Sequence, residues 1–197
     1  MQISKRANGF GSCGYWGRQL RTGEMAILLN EEEIAEAVDR LADQIMASGE
    51  GPVCIVGIRS RGDEVAERVC NRLAETDREL QYGVLDISLY RDDLEHLKQN
   101  PKLQSSEISF PMDGAHVILV DDVLFTGRTI RAALDALTDY GRPQKVELAV
   151  LIDRGWRELP IEPTYVGKVL ETKRLDRVVV NLQGTDGEDS VILESND

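Results

Sequence analysis

Residues 116–141, which read HVILVDDVLFTGRTIRAALDALTDYG, constrain the fold more than any other stretch of the chain. Val117, Ile118, Leu119 and Val120 form an unbroken apolar run with β-branched bias, the pattern of a strand buried on both faces of a parallel sheet. Ile130, Leu134 and Leu137 recur at helical spacing, and Gly141 is placed as the C′ residue that ends the helix. The stretch is therefore strand, loop, helix, with two adjacent carboxylates at the carboxyl end of the strand.

A loop that opens a helix presents unpaired backbone N–H groups and the positive end of the helix dipole, which together favour a phosphate. Thr126 and Thr129 add hydroxyl donors, Gly127 lets the backbone approach closely, and Arg128 adds positive charge. Asp121 and Asp122 are acceptors only when ionised, so they suit a pair of sugar hydroxyls or a hydrated magnesium ion, not the phosphate itself. Phosphate donors beside diol acceptors describe a ribose 5-phosphate site. No Gly-x-x-x-x-Gly-Lys-Ser/Thr run occurs in the chain, which removes the nucleotide-triphosphatase reading.

The 197 residues, 42% hydrophobic, fit one globular domain with a sizeable core. A formal charge of −12 opposes binding to phosphate backbones and anionic membranes unless the cations gather on one face. Cys13, Cys54 and Cys70 are an odd set without metal-type spacing, which together with the absence of a membrane-length apolar run predicts a cytoplasmic protein. Residues 1–24 differ from the rest: they are Gly-rich and carry a charge of +3, from Lys5, Arg6, Arg18 and Arg21 against Glu24. We read them as a disordered or non-native extension, with Met25 as the natural start of the domain that runs to Asp197. Gly9 to Gly14 match the dinucleotide fingerprint letter for letter, but no strand precedes them and no amphipathic helix follows.

Past Met25, Asn30 and Glu33 form an N-cap pair for a helix with an apolar stripe at Ile34, Val38, Leu41 and Ile45, closed by Gly49 and Pro52. Val53 to Ile58 is a core strand leading into Arg59-Ser60-Arg61-Gly62, and Val65, Val69 and Leu73 mark the helix beyond. This is a second strand–loop–helix unit with cations in its loop, at the strand end where open α/β sheets bind ligands. Tyr82 to Tyr90 alternates like a strand, and the polar stretch from Arg91 to Met112 reads as a binding loop or lid or, on composition, equally as a disordered connection. His96 and His116 are isolated and carry no catalytic assignment. Val146 to Ile152 gives another strand, residues 154–177 suit a hood outside the main sheet, and strands at Val178–Val180 and Val191–Leu193 flank Asp186-Gly187, a hairpin-type turn.

The acids followed by the Thr-Gly-Arg-Thr loop resemble the signature of the type I phosphoribosyltransferases. Together with Leu-Tyr-Arg-Asp-Asp-Leu at 89–94 and Asp-Arg-Gly-Trp-Arg-Glu-Leu-Pro-Ile at 153–161, the string closely resembles the family of bifunctional pyrimidine operon regulators and uracil phosphoribosyltransferases, over essentially Met25 to Asp197. The resemblance implies an α/β fold with a central, mostly parallel sheet flanked by helices and a small hood. It implies transfer of a phosphoribosyl group from phosphoribosyl pyrophosphate (PRPP) to uracil, giving UMP and pyrophosphate, with magnesium carried in by the pyrophosphate. In its terms Asp121 and Asp122 hold the ribose hydroxyls, and Val123, Leu124, Phe125 and Thr126 to Thr129 bind the nucleotide and its 5′-phosphate. Arg59, Ser60, Arg61 and Gly62 bind pyrophosphate, Tyr90 and Arg91 contact substrate with Arg91 among the catalytic groups, and Arg154 and Val178 contact nucleotide and base. No direct metal ligand is implied; Asp153 is assigned to a magnesium-bound water.

Members of this family form homodimers or larger homo-oligomers, and some bind the leader mRNA of pyrimidine genes when UMP or UTP is bound. That gives a second reading, a nucleotide-sensing RNA regulator with weak activity. Arg40, Arg157 and Lys168 are the cations left for RNA. Asp39 and Asp43 share the first helix with Arg40, Trp156 stands where the family usually has His after Asp-Arg-Gly, and Glu162 adds an acid nearby. Each acid repels a phosphate track, so RNA binding is expected to be weak or altered.

Overall fold

The structure, a computed structural model, describes residues 23–90 and 105–196. The N-terminal extension up to residue 22, Arg91, His96 and most of the long polar connection lie outside the described residues. Two sheets make up the fold. Helix α1 (Glu31–Ala47) starts with a reciprocal cap in which the Asn30 side chain accepts the Glu33 N–H and the Glu33 carboxylate accepts the Asn30 N–H, both at 3.0 Å. All four residues of its expected stripe are buried.

Strand β2 (Val53–Ile58) is buried at every position, as a central parallel strand must be. It is followed by helix α2 (Gly62–Leu73) and β3 (Leu80–Leu85), then β4 (His116–Leu124), α3 (Arg128–Leu137), β5 (Lys145–Asp153) and β6 (Tyr165–Val169). These five strands form one parallel sheet in the order β3-β2-β4-β5-β6. One face packs against α1 and α2, through Ile55, Ile118 and Val120 among others. The other face packs against α3 through Val56, Val117 and Leu119. The unbroken apolar run in β4 thus serves two cores at once. β1 (Met25–Leu29), β7 (Arg177–Asn181) and β8 (Ser190–Glu194) form a separate antiparallel sheet in the order β1-β8-β7, with a one-turn helix α4 (Gln183–Asp186) between β7 and β8.

Five expectations change. Tyr165–Val169 pairs in parallel with β5, so residues 154–177 do not stand wholly outside the main sheet. Its Gly167 is required by close packing: a Cβ there would lie 2.6 Å from the Leu151 carbonyl and 3.1 Å from that of Ala37 in α1. The strand predicted for Tyr82–Tyr90 stops at Leu85, because the Asp86 carboxylate accepts the Ser88 N–H and hydroxyl at 2.8 and 2.6 Å and turns the chain. Asp186-Gly187 is not a two-residue hairpin turn; Gly187, at φ 85°, ends α4 inside a longer connection. Leu134 is 38% exposed, since α3 buries Ile130, Ala132, Ala133, Ala136 and Leu137 instead. Gly141, at φ 136°, closes a 3-10 turn over Thr138–Tyr140 and not α3 itself. The strand at Met25–Leu29 had no sequence signal of its own beyond the start of ordered patterning.

Candidate active site

Strand order reverses direction between β2 and β4: from β2 the chain moves outward to β3, then returns to β4 on the other side. Open α/β sheets bind ligands at such a point, beyond the carboxyl ends of the strands. Both polar loops picked out in the sequence emerge there, Arg59–Gly62 after β2 and the Thr126–Thr129 turn after β4. β2 and β4 pair only as far as Gly57 and Val120, whereas β4 and β5 stay paired to Leu124 and Asp153. Asp121 and Asp122 therefore lie inside β4, not beyond its end, where the strand has lost its β2 neighbour and faces the Arg59–Gly62 loop.

The two loops touch. A Cβ on Gly62 would sit 2.7 Å from the Val120 carbonyl oxygen, 3.0 Å from Asp121 Cα and 3.2 Å from Asp121 Oδ1, so only glycine permits this approach. Asp121 is 4% exposed, and its Oδ1 accepts the Asp122 N–H at 3.0 Å. Asp122 Oδ1 accepts the Val123 N–H at 2.8 Å. Burial pushes the Asp122 carboxyl above its ordinary range, against the opposing pull of the Val123 N–H, Arg61 and Asp121. Arg61 adopts φ 72° at the start of α2 and forms a two-pronged pair with Asp186, at 2.9 and 2.8 Å. Arg59 pairs with Glu107 at 3.1 Å and lies 3.9 Å from Asp63, and Ser60 is exposed.

At the other end of the cleft, Gly127 caps α3 in the left-handed region at φ 89° without a side-chain cap. The N–H groups of the first turn of α3 have no acceptor within the helix, an arrangement that favours an anion. Arg128 N–H lies 3.4 Å from Thr126 Oγ1, and the Arg128 side chain reaches Glu158 at 3.0 Å. Glu158 also takes Arg174, at 2.6 Å. The segment after Asp-Arg-Gly is sewn onto the turn, because Thr126 carbonyl accepts the N–H groups of Glu158 and Leu159 at 3.0 and 3.1 Å.

Between these ends a cleft of about 500 Å³ is lined by Val123, Phe125, Arg154, Asp176 and Val178 among others. Arg154 is buried; its guanidinium lies over the Phe125 ring at 4.1 Å and donates to the carbonyls of Lys173 and Arg174. Burial lowers its pKa, with Asp176 opposing. Arg154 Nε and Asp176 Oδ1 are buried without a hydrogen-bond partner among the described residues.

Of the predicted site residues, Val123, Phe125, Arg154 and Val178 line one cleft and Gly62 lies against Asp121, whereas several others have other work. Arg157, a candidate RNA contact, is 14% exposed at its side chain and donates to Asp153, Phe125 carbonyl and Ile161 carbonyl. Arg40 donates to Gly167 carbonyl at 2.5 Å, so of the three RNA candidates only Lys168 is exposed without a hydrogen bond of this kind among the described residues. Asp153 accepts the Gly155 N–H at 2.9 Å on one oxygen and Arg157 at 2.7 Å on the other, one bond to each. Tyr90 donates to Asp139. Glu158, Asp176 and Asp186 escaped sequence reasoning. Glu158 stood in a quoted motif, and Asp186 stood in a stretch read only as a turn.

Residues 25–180 match the family model of the phosphoribosyl transferase domain. The chain is 51% identical over 171 residues to the bifunctional protein PyrR of Akkermansia muciniphila, covering 86% of this chain and 96% of that one. It is 47% identical over 175 residues to the bifunctional protein PyrR of Deinococcus radiodurans, covering 87% and 96%. Among solved structures it resembles a hypoxanthine phosphoribosyltransferase from Staphylococcus aureus with a TM-score of 0.62 at 22% identity, covering 85% of this chain and 90% of that chain, a likeness of fold. With a parallel sheet, a switch-point cleft and relatives that agree over its length, the chain belongs to the phosphoribosyltransferase family, in the branch of the bifunctional PyrR proteins.

Proposed function

We propose that the chain is a uracil phosphoribosyltransferase that converts uracil and PRPP to UMP and pyrophosphate. The observation that carries this is the contact of Gly62 with Val120 and Asp121, which joins the cationic loop after β2 to the paired acids of β4. Asp121 and Asp122 take the ribose hydroxyls, the turn from Thr126 to Thr129 takes the 5′-phosphate, and Arg59, Ser60, Arg61 and Gly62 take pyrophosphate. The cleft lined by Phe125, Arg154 and Val178 takes the base. Arg91 belongs to the same proposal as a substrate contact.

The chemistry is displacement at the anomeric carbon through an oxocarbenium-like transition state, with no covalent nucleophile. The chain contributes position and charge: aligned reactants remove most of the entropic barrier, and fixed donors stabilise the departing pyrophosphate. Magnesium, when it enters with pyrophosphate, neutralises oxygen charge. The hard oxygens of Asp121 and Asp122 are the protein groups suited to it through water, and no cluster of three acidic, Cys or His side chains is found among the described residues. A cytoplasmic location and homo-oligomeric assembly are part of the proposal.

Bifunctionality in the relatives' name raises a second reading, regulation through leader RNA. Arg40 and Arg157 are turned to backbone carbonyls, which favours the enzyme reading for this chain. Pyrophosphate release and RNA binding measured on one preparation test both. The expected result is uracil- and magnesium-dependent release of pyrophosphate with weak RNA retention at physiological salt. Absence of uracil-dependent release, or a preference for purine bases, refutes the assignment.

A further inference from the structure

A carboxylate beside an anion-binding loop is an anomaly, because it repels the ligand unless it acts on a cation first. Asp186 is such a carboxylate. Its side chain is 19% exposed and faces Arg61 in a two-pronged pair through Nε and Nη2, at 2.9 and 2.8 Å. The pair uses two of the five guanidinium N–H groups and leaves Nη1 and the second Nη2 hydrogen for other acceptors. On the same guanidinium acts the charge of Asp122, so Arg61 sits between the acid pair of β4 and the small sheet.

Asp186 is itself held in place. Its Oδ2 accepts the Leu182 N–H at 2.9 Å, its own N–H donates to Leu182 carbonyl at 2.7 Å, and Leu182 is fully buried. A second set of contacts joins the same two elements without Arg61. Glu64 accepts the Gly184 N–H at 2.9 Å and the Thr185 hydroxyl at 3.0 Å. Arg68 bridges Glu64 at 2.7 Å and Asp189 at 2.6 and 2.8 Å. That second set already staples α2 to the β7–β8 connection. The Arg61 pair is therefore redundant for docking and specific to the loop.

We propose that Asp186 is a positioning residue for the pyrophosphate loop: it fixes the Arg61 guanidinium so that its remaining N–H groups are set for the pyrophosphate moiety. The inference rests on the assignment of Arg61 to pyrophosphate. It also joins the two ends of the substrate, since β7, whose Val178 lines the base cleft, leads through Leu182 to Asp186.

Calorimetric titration with magnesium pyrophosphate and with UMP, together with steady-state kinetics in PRPP, tests it on Asp186→Ala, Asp186→Glu and Arg61→Ala in the full chain. Asp186→Ala is expected to weaken pyrophosphate binding and raise the KM for PRPP about tenfold, equivalent to about 1.4 kcal/mol. Its kcat is expected within about threefold of wild type, the pattern of lost uniform binding. UMP, which lacks pyrophosphate, binds as before, and Asp186→Glu restores part of the loss. Parallel weakening of UMP and pyrophosphate with a lowered Tm makes Asp186 a structural staple and overturns the inference, as does unchanged or tighter pyrophosphate binding. If Arg61→Ala weakens pyrophosphate while Asp186→Ala does not, this inference alone fails; if Arg61→Ala has no effect, the assignment of Arg61 fails with it.

Discussion

Substituting Gly62 by Ala tests the contact on which the site depends. The new Cβ would lie 2.7 Å from the Val120 carbonyl oxygen and 3.0 Å from Asp121 Cα, against 3.4 Å for ordinary van der Waals contact. The loop must therefore retreat from β4 by about 0.7 Å at the first atom, and both obstacles are backbone in a buried strand. Overpacking of this kind costs about 1–3 kcal/mol, and in a chain of this size each kcal/mol lowers Tm by roughly 2–4 °C. The larger effect falls on activity, because a misplacement of about 1 Å can cost about a hundredfold. We expect kcat/KM for PRPP to fall tenfold or more, in the sense of an order of magnitude for a shift somewhat under 1 Å. Gly51→Ala is the control: nothing lies within 4 Å of a Cβ there, and Tm and kinetics should stay at wild-type values. Thermal unfolding and initial-rate kinetics with varied PRPP read both quantities. A Gly62→Ala enzyme with wild-type Tm and kcat/KM refutes the claim that this glycine sets the distance between the two loops.

Two further substitutions separate charge from packing. Asp122 has its pKa raised in the folded state by burial, so the stability it contributes at low pH is lost as pH rises from the ordinary carboxylate range through the folded value. Asp122→Asn should therefore raise Tm at pH 7, with the gain shrinking as pH falls from the raised folded value to the ordinary carboxylate range and gone below it, while sharply reducing turnover; a lowered Tm at pH 7 with normal turnover contradicts both parts. Arg157→Ala removes the ion pair with Asp153 and the hydrogen bonds to the carbonyls of Phe125, Gly155 and Ile161, and should destabilise by about 3 kcal/mol, whereas Lys168→Ala at an exposed site should leave Tm unchanged. Chemical denaturation decides between them, and equal stability of the two variants would show that Arg157 is no strut.

The parts of the fold legible in the sequence are those where one physical cause acts alone. Asn30 and Glu33 cap each other through local atoms, and the β2 and β4 runs are apolar because both faces are covered. Where long-range packing decides, the pattern misleads. Tyr165–Val169 follows closely on Pro160 and Pro163 and contains a glycine, yet that glycine is what lets α1 approach the sheet. Asp186-Gly187 has the composition of a tight turn, but the eight residues between β7 and β8 form a helical turn whose acid reaches the loop after β2. Motif residues fared similarly. Asp121, Asp122 and the Thr126–Thr129 turn were recognisable because consecutive residues carry the chemistry. The carboxylates that tether the arginines lie far along the chain, as with Asp186 at 125 residues from Arg61, and nothing local marks them.

That tethering explains how a chain of net charge −12 can take a polyanionic substrate. Arg59 carries Glu107, Arg61 carries Asp186, and Arg128 carries Glu158, so these three loop cations are each paired with an acid and produce little long-range field. What remains is orientation: guanidinium N–H groups held in fixed directions and the N-terminal turn of α3, which act at contact distance. A compact diphosphate ester meets these donors at two points, and fixing them beforehand lowers the cost of ordering them on binding. An RNA backbone asks for the opposite, free cations spread along a surface whose counterions it can displace. Arg40 and Arg157 are spent on carbonyls, and acids flank the first of them on α1. The arrangement that suits catalysis at one cleft is therefore physically distinct from the one that suits a phosphate track.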